Sequence, residues 1–231
     1  MINYIDLTHK LENNIPVYPG DPKFSLKDIS DSKDDYSLFE IKGNLHTGTH
    51  IDAPYHYIKN GKKVNDLDIN TLIGPASILK TKLNSELENN NNNNNRYNNK
   101  IDIDNEIKLA NILNINSKDF INSKGLEKII ILNTNSYHNW GEDSYFTNNP
   151  YLSKEVANFF IENEISGIAI DTCSVDKFGE NTIHKRLLKN NIWIVENLRN
   201  LDKVKKSVHY SYFIPLNIDA EASYVRVLLE E

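Results

Sequence analysis

Three histidines and a carboxylate stand at even positions in the eleven-residue segment His46-Thr47-Gly48-Thr49-His50-Ile51-Asp52-Ala53-Pro54-Tyr55-His56. Imidazole nitrogens and carboxylate oxygens are the ligands that zinc, manganese and similar divalent ions take from proteins. The chain has seven histidines in all, so three at alternating spacing beside a matched carboxylate read as a metal site rather than a chance surface turn. A His-x3-His pair suits one face of a helix, but Gly48 and Pro54 disfavour a regular helix through the segment. As a straight strand the even positions share one face, yet His46 and His50 would stand about 13 Å apart at their backbones. That is too far for two imidazoles each ~2.1 Å from one ion. Gly48 is the expected remedy, because glycine permits the bend that draws both rings together. Asp52 then supplies an oxygen to the same ion or bridges to a second. His56, redirected by Pro54, is either a fourth ligand or a proton shuttle.

The second half of the chain carries further candidates. Ile192-Trp193-Ile194-Val195-Glu196 reads as an apolar strand ending in a carboxylate, and the carboxyl end of a strand is a usual place for a functional group in α/β sheets. An unpaired Glu196 would be costly to bury, and a metal would remove that cost. His184 falls near an expected helix start. Asp171 and Asp176 flank Ser174 after another expected strand, where a turn-forming role and a ligand-orienting role are equally open. Arg226 sits in an alternating strand and reads as structural. There is no Gly-x-Ser-x-Gly elbow to indicate a serine nucleophile.

The elements that must hold these groups follow from hydrophobic patterning. Strands are expected at Tyr4–Leu7, Ser37–Leu45, Ala76–Leu79, Ile129–Leu132, Gly167–Ile170, Ile192–Glu196 and Tyr224–Leu228, with Pro16–Pro22 as a turn-rich loop. Helices are expected at Ser153–Asn163, capped by its serine and carrying Val156, Phe159 and Phe160 at helical spacing, and at Asn181–Lys189. Strand and helix alternate in the C-terminal half, which implies an α/β domain. The low-complexity run from Ser85 to Lys100, with seven consecutive asparagines at Asn89–Asn95, is expected to be a surface insertion within one domain spanning 1–231.

Composition narrows the function classes. A chain of 231 residues, 39% hydrophobic and 25% charged, is ordinary globular material able to bury roughly 70% of its unfolded surface. With Cys173 alone, no intrachain disulfide forms, and a lone thiol suits a reducing compartment. The net charge of −6, with no basic run beyond Lys203–Lys206, argues against nucleic acid as a partner. Met1–Lys10 lacks the apolar core of a secretion signal, and no window reaches the roughly 18 apolar residues of a membrane span. A cytoplasmic protein acting on a small molecule, with no membrane association, is the expectation.

From His46 to His56 the chain matches the motif His-x-Gly-Thr-His-x-Asp-x-Pro-x-His without exception, and on this motif it resembles the cyclase family of metal-dependent hydrolases. Bacterial kynurenine formamidases are its best-known members and isatin hydrolases are relatives. The resemblance extends through Asp6-Leu7-Thr8-His9, Pro16–Pro22, Asp171–Asp176, Glu196-Asn197-Leu198 and Pro215-Leu216. It implies a swivelling β/β/α fold with a mixed sheet or barrel core, and a homodimer or homotetramer. It implies one or two divalent ions, zinc or manganese: a first on His46, His50 and Asp52, and a second on Asp52, His184 and Glu196, with Glu196 also reaching the first. By the same resemblance His56 is the proton donor and acceptor, and Tyr18 is an aromatic that contacts substrate.

The implied reaction is hydrolysis of a small amide, an arylformamide such as N-formylkynurenine first. A divalent ion lowers the pKa of bound water toward ~7 and polarises the carbonyl under attack, while His56, a side chain titrating near neutrality, moves the proton. Tyr18 in place of the family's usual Trp, and Asn133-Thr134 in place of an Arg-Thr pair, leave the substrate open. An isatin-like lactam or another cyclase or dehydratase reaction stands beside it. A non-catalytic metal-binding protein would be expected to have a broken ligand or no His56, and neither is found.

Overall fold

Ile129, Ile131, Ala169 and Val195 face one side of a sheet while Ile130, Leu132, Ile168 and Ile194 face the other, and both sets are buried. Strands buried on both faces are the mark of a parallel sheet covered by helices, and period-two alternation sorts their side chains between two cores. The structure is a computed structural model that describes residues 2–33, 35–81, 105–113 and 125–231. The expected Asn-rich insertion lies outside the described residues.

Twelve strands are present among these: β1 (Tyr4–Asp6), β2 (Ser25–Asp28), β3 (Phe39–Lys42), β4 (His50–Asp52), β5 (Ile73–Lys80), β6 (Glu106–Ile107), β7 (Ile129–Asn133), β8 (Tyr151–Leu152), β9 (Gly167–Ile170), β10 (Trp193–Glu196), β11 (Val208–Pro215) and β12 (Ala222–Glu230). The main sheet runs β1-β12-β11-β5-β7-β9-β10-β4, and a further β12–β4 pairing closes it into a seven-stranded mixed barrel with β1 appended. β5, β7, β9 and β10 are mutually parallel, and the remaining pairings of the barrel are antiparallel.

Four α-helices accompany it among the described residues: α1 (Leu109–Leu113), α2 (Asp143–Thr147), α3 (Lys154–Glu162) and α4 (Thr182–Lys189). The Ser153 side chain accepts a hydrogen bond from Val156 N at the start of α3, and the helix buries Val156, Ala157 and Phe160. These pack with Ile183, Leu187 and Leu188 of α4 against the outer face of the parallel strands. The inner core gathers Ile51, Trp193, Phe213, Val225 and Val227. Gly167 is required there, because a Cβ on it would lie 1.9 Å from the Trp193 ring.

An α/β domain with a mixed barrel core is therefore as the sequence led us to expect. Two differences stand out. The expected strand Ser37–Leu45 is shorter, Phe39–Lys42, and forms only a two-stranded hairpin with β2, exposed along its whole length. The strand Val208–Pro215 was not expected, because its outward Tyr210 and Ile214 blur the apolar alternation. No helix among the described residues is long and apolar enough to cross a membrane.

Candidate metal centre and pocket

β4 is wedged between β10 and β12, and its register decides the chemistry. Across the β10 ladder His50 stands opposite Glu196, and across the β12 ladder it stands opposite Tyr224. Directly opposed residues on neighbouring strands have Cβ atoms about 5 Å apart, so barrel closure brings Glu196 beside His50 although 146 positions separate them in the chain (196 − 50).

The turn before β4 delivers His46. Gly48 has φ +66, the bend that the spacing required, and the rings of His46 and His50 come to 5.0 Å between centroids. Beyond β4 the 3-10 turn Pro54–His56 folds the chain back, setting the His56 ring 4.5 Å from that of His46. From the far half of the chain, α4 presents His184 at its third position, with its ring 5.9 Å from that of His56.

Asp52 sits at the centre. Its Oδ1 lies 3.1 Å from His46 Nδ1 and 3.6 Å from His50 Nε2, and its Oδ2 lies 3.4 Å from His184 Nε2. Glu196 spans the other side, with Oε2 at 3.5 Å from His50 Nε2 and Oε1 at 3.1 Å from His184 Nε2. All five groups implied by the resemblance thus converge. His50, Asp52 and Glu196 form one set with ligand atoms within 4.8 Å of one another, and His46, Asp52 and His56 form another.

Whether these residues fit a cation is tested by their unmet valences. His50 Nδ1 donates to the Gly48 carbonyl at 2.9 Å, which leaves its Nε2 as a bare lone pair. That nitrogen and both Asp52 carboxylate oxygens are fully buried and make no well-aligned hydrogen bond, although the Asp52 oxygens stand 3.1 Å from His46 Nδ1 and 3.4 Å from His184 Nε2. Buried polar atoms are almost always partnered, and an imidazole nitrogen facing a carboxylate oxygen at 3.6 Å with no aligned hydrogen bond on either is the donor set that a divalent ion satisfies. One face of Asp52 and Glu196 serves His46 and His50, the other serves His184, so the arrangement accommodates one or two ions.

Charge states point the same way. Burial favours the neutral acid at Asp52, but the positive charge of the neighbouring His46 outweighs it and holds the carboxyl well below its usual range. Burial likewise opposes charge on His46, yet the Asp52 carboxylate, with Glu196 and Glu221 beyond it, raises its pKa to about 9. His184 is raised well above 6.5 against its burial, by Glu196 and by its bond to Asp176. The cluster is an excess of carboxylate seeking positive charge. His56 goes the other way, to about 4, because burial dominates; the Asp52 carboxylate opposes the shift and His46, His184 and His50 reinforce it. His56 is thereby neutral at pH 7 in the metal-free fold.

Asp176 orients His184. Its Oδ2 accepts from His184 Nδ1 at 2.7 Å and from the His184 backbone N–H at 2.9 Å, while Oδ1 accepts from Ile183 N at 2.7 Å. One carboxylate thereby caps α4 and turns His184 Nε2 toward Asp52 and Glu196. Asp171, by contrast, is structural. Its buried carboxyl, raised to about 6 by that burial, accepts from Thr134 and from Tyr137 N, which ties down the turn after β7. Arg226 pairs with Asp6 on the surface, as its strand position indicated.

The centre forms the floor of a cavity of about 360 Å³. Tyr18 stands in its wall, with Phe146 6.2 Å away edge-on and Phe178 at 5.5 Å. Trp140 completes the wall, stacked on His9 at 3.9 Å. Sequence reasoning missed Trp140 and Phe146. Their segment lacks periodicity, although its density of aromatics, Tyr137, Trp140, Tyr145 and Phe146, was a usable signal. Glu221, 3.5 Å from His46 Nε2, was also missed and carried no signal.

Such a barrel, with a buried His/Asp/Glu cluster beneath a ligand-sized aromatic pocket, defines a candidate divalent-metal centre of the catalytic type. The chain belongs to the family described as Putative cyclase, which matches residues 5–177. It is 32% identical to a kynurenine formamidase of Bacillus cereus, over 98% of this chain and 96% of that protein. Among solved structures it is similar to isatin hydrolase A from Labrenzia aggregata bound to benzyl benzoate, at 22% identity and a TM-score of 0.77, covering 99% of this chain and 93% of that one. A structure described as a potential metal-dependent hydrolase with cyclase activity aligns with a TM-score of 0.72 at 22% identity, over 100% and 98% of the two chains.

Proposed function

We propose that the protein is a metal-dependent hydrolase that cleaves a small aryl-substituted amide, with an arylformamide such as N-formylkynurenine as the first candidate. The convergence of His46, His50, Asp52, His184 and Glu196, with orphaned valences at its centre, carries this reading. The full-length likeness to kynurenine formamidases supports the choice of bond.

Zinc or manganese, one or two ions, would be held by His46, His50, Asp52 and Glu196 on one side and by Asp52, Glu196 and His184 on the other. When bound, such an ion lowers the pKa of water and polarises a carbonyl. His56, neutral at pH 7, accepts the proton from the attacking water and returns it to the departing nitrogen. Tyr18, Trp140 and Phe146 hold the aryl ring, and the cavity suits a single ring with a short polar tail. The buried thiol of Cys173 accords with the cytoplasmic setting we assign. The functional unit is a dimer or tetramer, for which the exposed hairpin β2–β3, carrying Phe39 and Ile41, is the candidate contact.

Arylformamidase and lactamase assays with and without chelator test the proposal. Chelation should abolish cleavage and added zinc or manganese should restore it, and His56→Ala should keep its metal while losing turnover by about 10²-fold or more. Cleavage that survives complete removal of metal would refute it.

A further inference from the structure

Asn197 follows Glu196 with φ 61, a left-handed conformation that asparagine tolerates, and its side chain is buried. Its Nδ2 donates to the Gly48 carbonyl at 2.9 Å, the same oxygen that receives His50 Nδ1 at 2.9 Å. A carbonyl only accepts, and this fixes both partners. The amide must present nitrogen to Gly48, so its Oδ1 faces Tyr145, whose hydroxyl donates to it at 2.8 Å and lies 3.1 Å from the Asp171 carbonyl. The imidazole must present N–H at Nδ1, so its lone pair is at Nε2, toward Asp52 and Glu196. The backbone of Asn197 grips the same turn a second time: Thr49 Oγ1 donates to the Asn197 carbonyl at 2.7 Å and accepts from His9 N at 2.9 Å.

We infer that Asn197, oriented by the buried hydroxyl of Tyr145, is a positioning residue that sets the tautomer and aim of His50 as a metal ligand through the Gly48 carbonyl. This rests on the reading of the cluster as a metal centre. The Gly48 peptide lies in a bent turn outside any strand, and Asn197 is the side chain that reaches its oxygen from the other half of the barrel. Groups that hold a ligating histidine from behind typically alter metal affinity by 10- to 100-fold.

The test uses Asn197→Gly, which tolerates the left-handed backbone, and Tyr145→Phe, which keeps the ring and removes the hydroxyl. Zinc affinity is measured by chelator competition on folded protein well below its melting temperature, and the visible spectrum of the cobalt(II)-loaded protein reports ligand geometry. Asn197→Gly should bind about 10- to 100-fold more weakly with an altered cobalt spectrum, and Tyr145→Phe should move both in the same direction by less. Zinc affinity within about two-fold of the unaltered protein and an unchanged spectrum in both variants would overturn the inference, even if melting temperature falls or KM rises. That result would assign Asn197 to fold stability or to substrate contact. An unaltered protein that takes up no ion overturns the metal reading as well.

Discussion

Replacing Asp176 by Asn separates helix capping from ligand orientation. The carboxylate accepts three bonds, from Ile183 N, His184 N and His184 Nδ1, and is held below its ordinary pKa, against its burial, chiefly by the His184 bond. An amide of the same shape has one acceptor oxygen and one donor nitrogen. With its oxygen toward His184, the NH2 meets the Ile183 N–H head-on. With its nitrogen toward His184, it clashes with the backbone N–H and draws the ring into the tautomer protonated at Nε2, which removes the lone pair facing Asp52 and Glu196. Either orientation leaves a buried donor unpaired, which costs about 1–3 kcal/mol. Urea unfolding of the metal-free variant should therefore show a loss of that size. Metal affinity by chelator competition should fall about 10- to 100-fold. A variant destabilised as stated that binds metal like the unaltered protein would reduce Asp176 to a helix cap and refute the orienting role.

Removing metal should expose a pH dependence that the loaded protein lacks. The pKa of His46 is raised to about 9 in the fold from an unfolded value near 6.5, so its contribution is fully present below pH 6.5 and is lost as pH rises through 9. It amounts to at most about 3 kcal/mol, and metal-free urea midpoints that stay level between pH 6.5 and 9.5 would refute it. Sedimentation should find a dimer or larger, because Phe39 and Ile41 are more than half exposed on a hairpin of two strands that is marginal without apolar cover. Phe39→Glu with Ile41→Lys should shift the protein toward monomer, and an unaltered protein that sediments as a monomer would refute the contact.

Much of this protein was legible in its sequence because the relevant physics is local. The eleven residues from His46 to His56 carry the ligand types, the glycine bend and the proline turn together, so a local bend and turn bring three imidazoles near one carboxylate. The parallel strands and the Ser153-capped helix were legible for the same reason: periodicity and capping act within a few residues. What α4 would aim at, and that Asp176 would both cap it and turn His184, depended on how that helix packs on the sheet. The opposition of His50 and Glu196, the grip of Asn197 on Gly48, and the aromatic wall of Trp140 and Phe146 were decided only when β4 closed the barrel between β10 and β12. A shift of one residue in either ladder would turn the ligands away, and register across a closed sheet is set by packing summed over the whole core, which no short stretch of chain encodes.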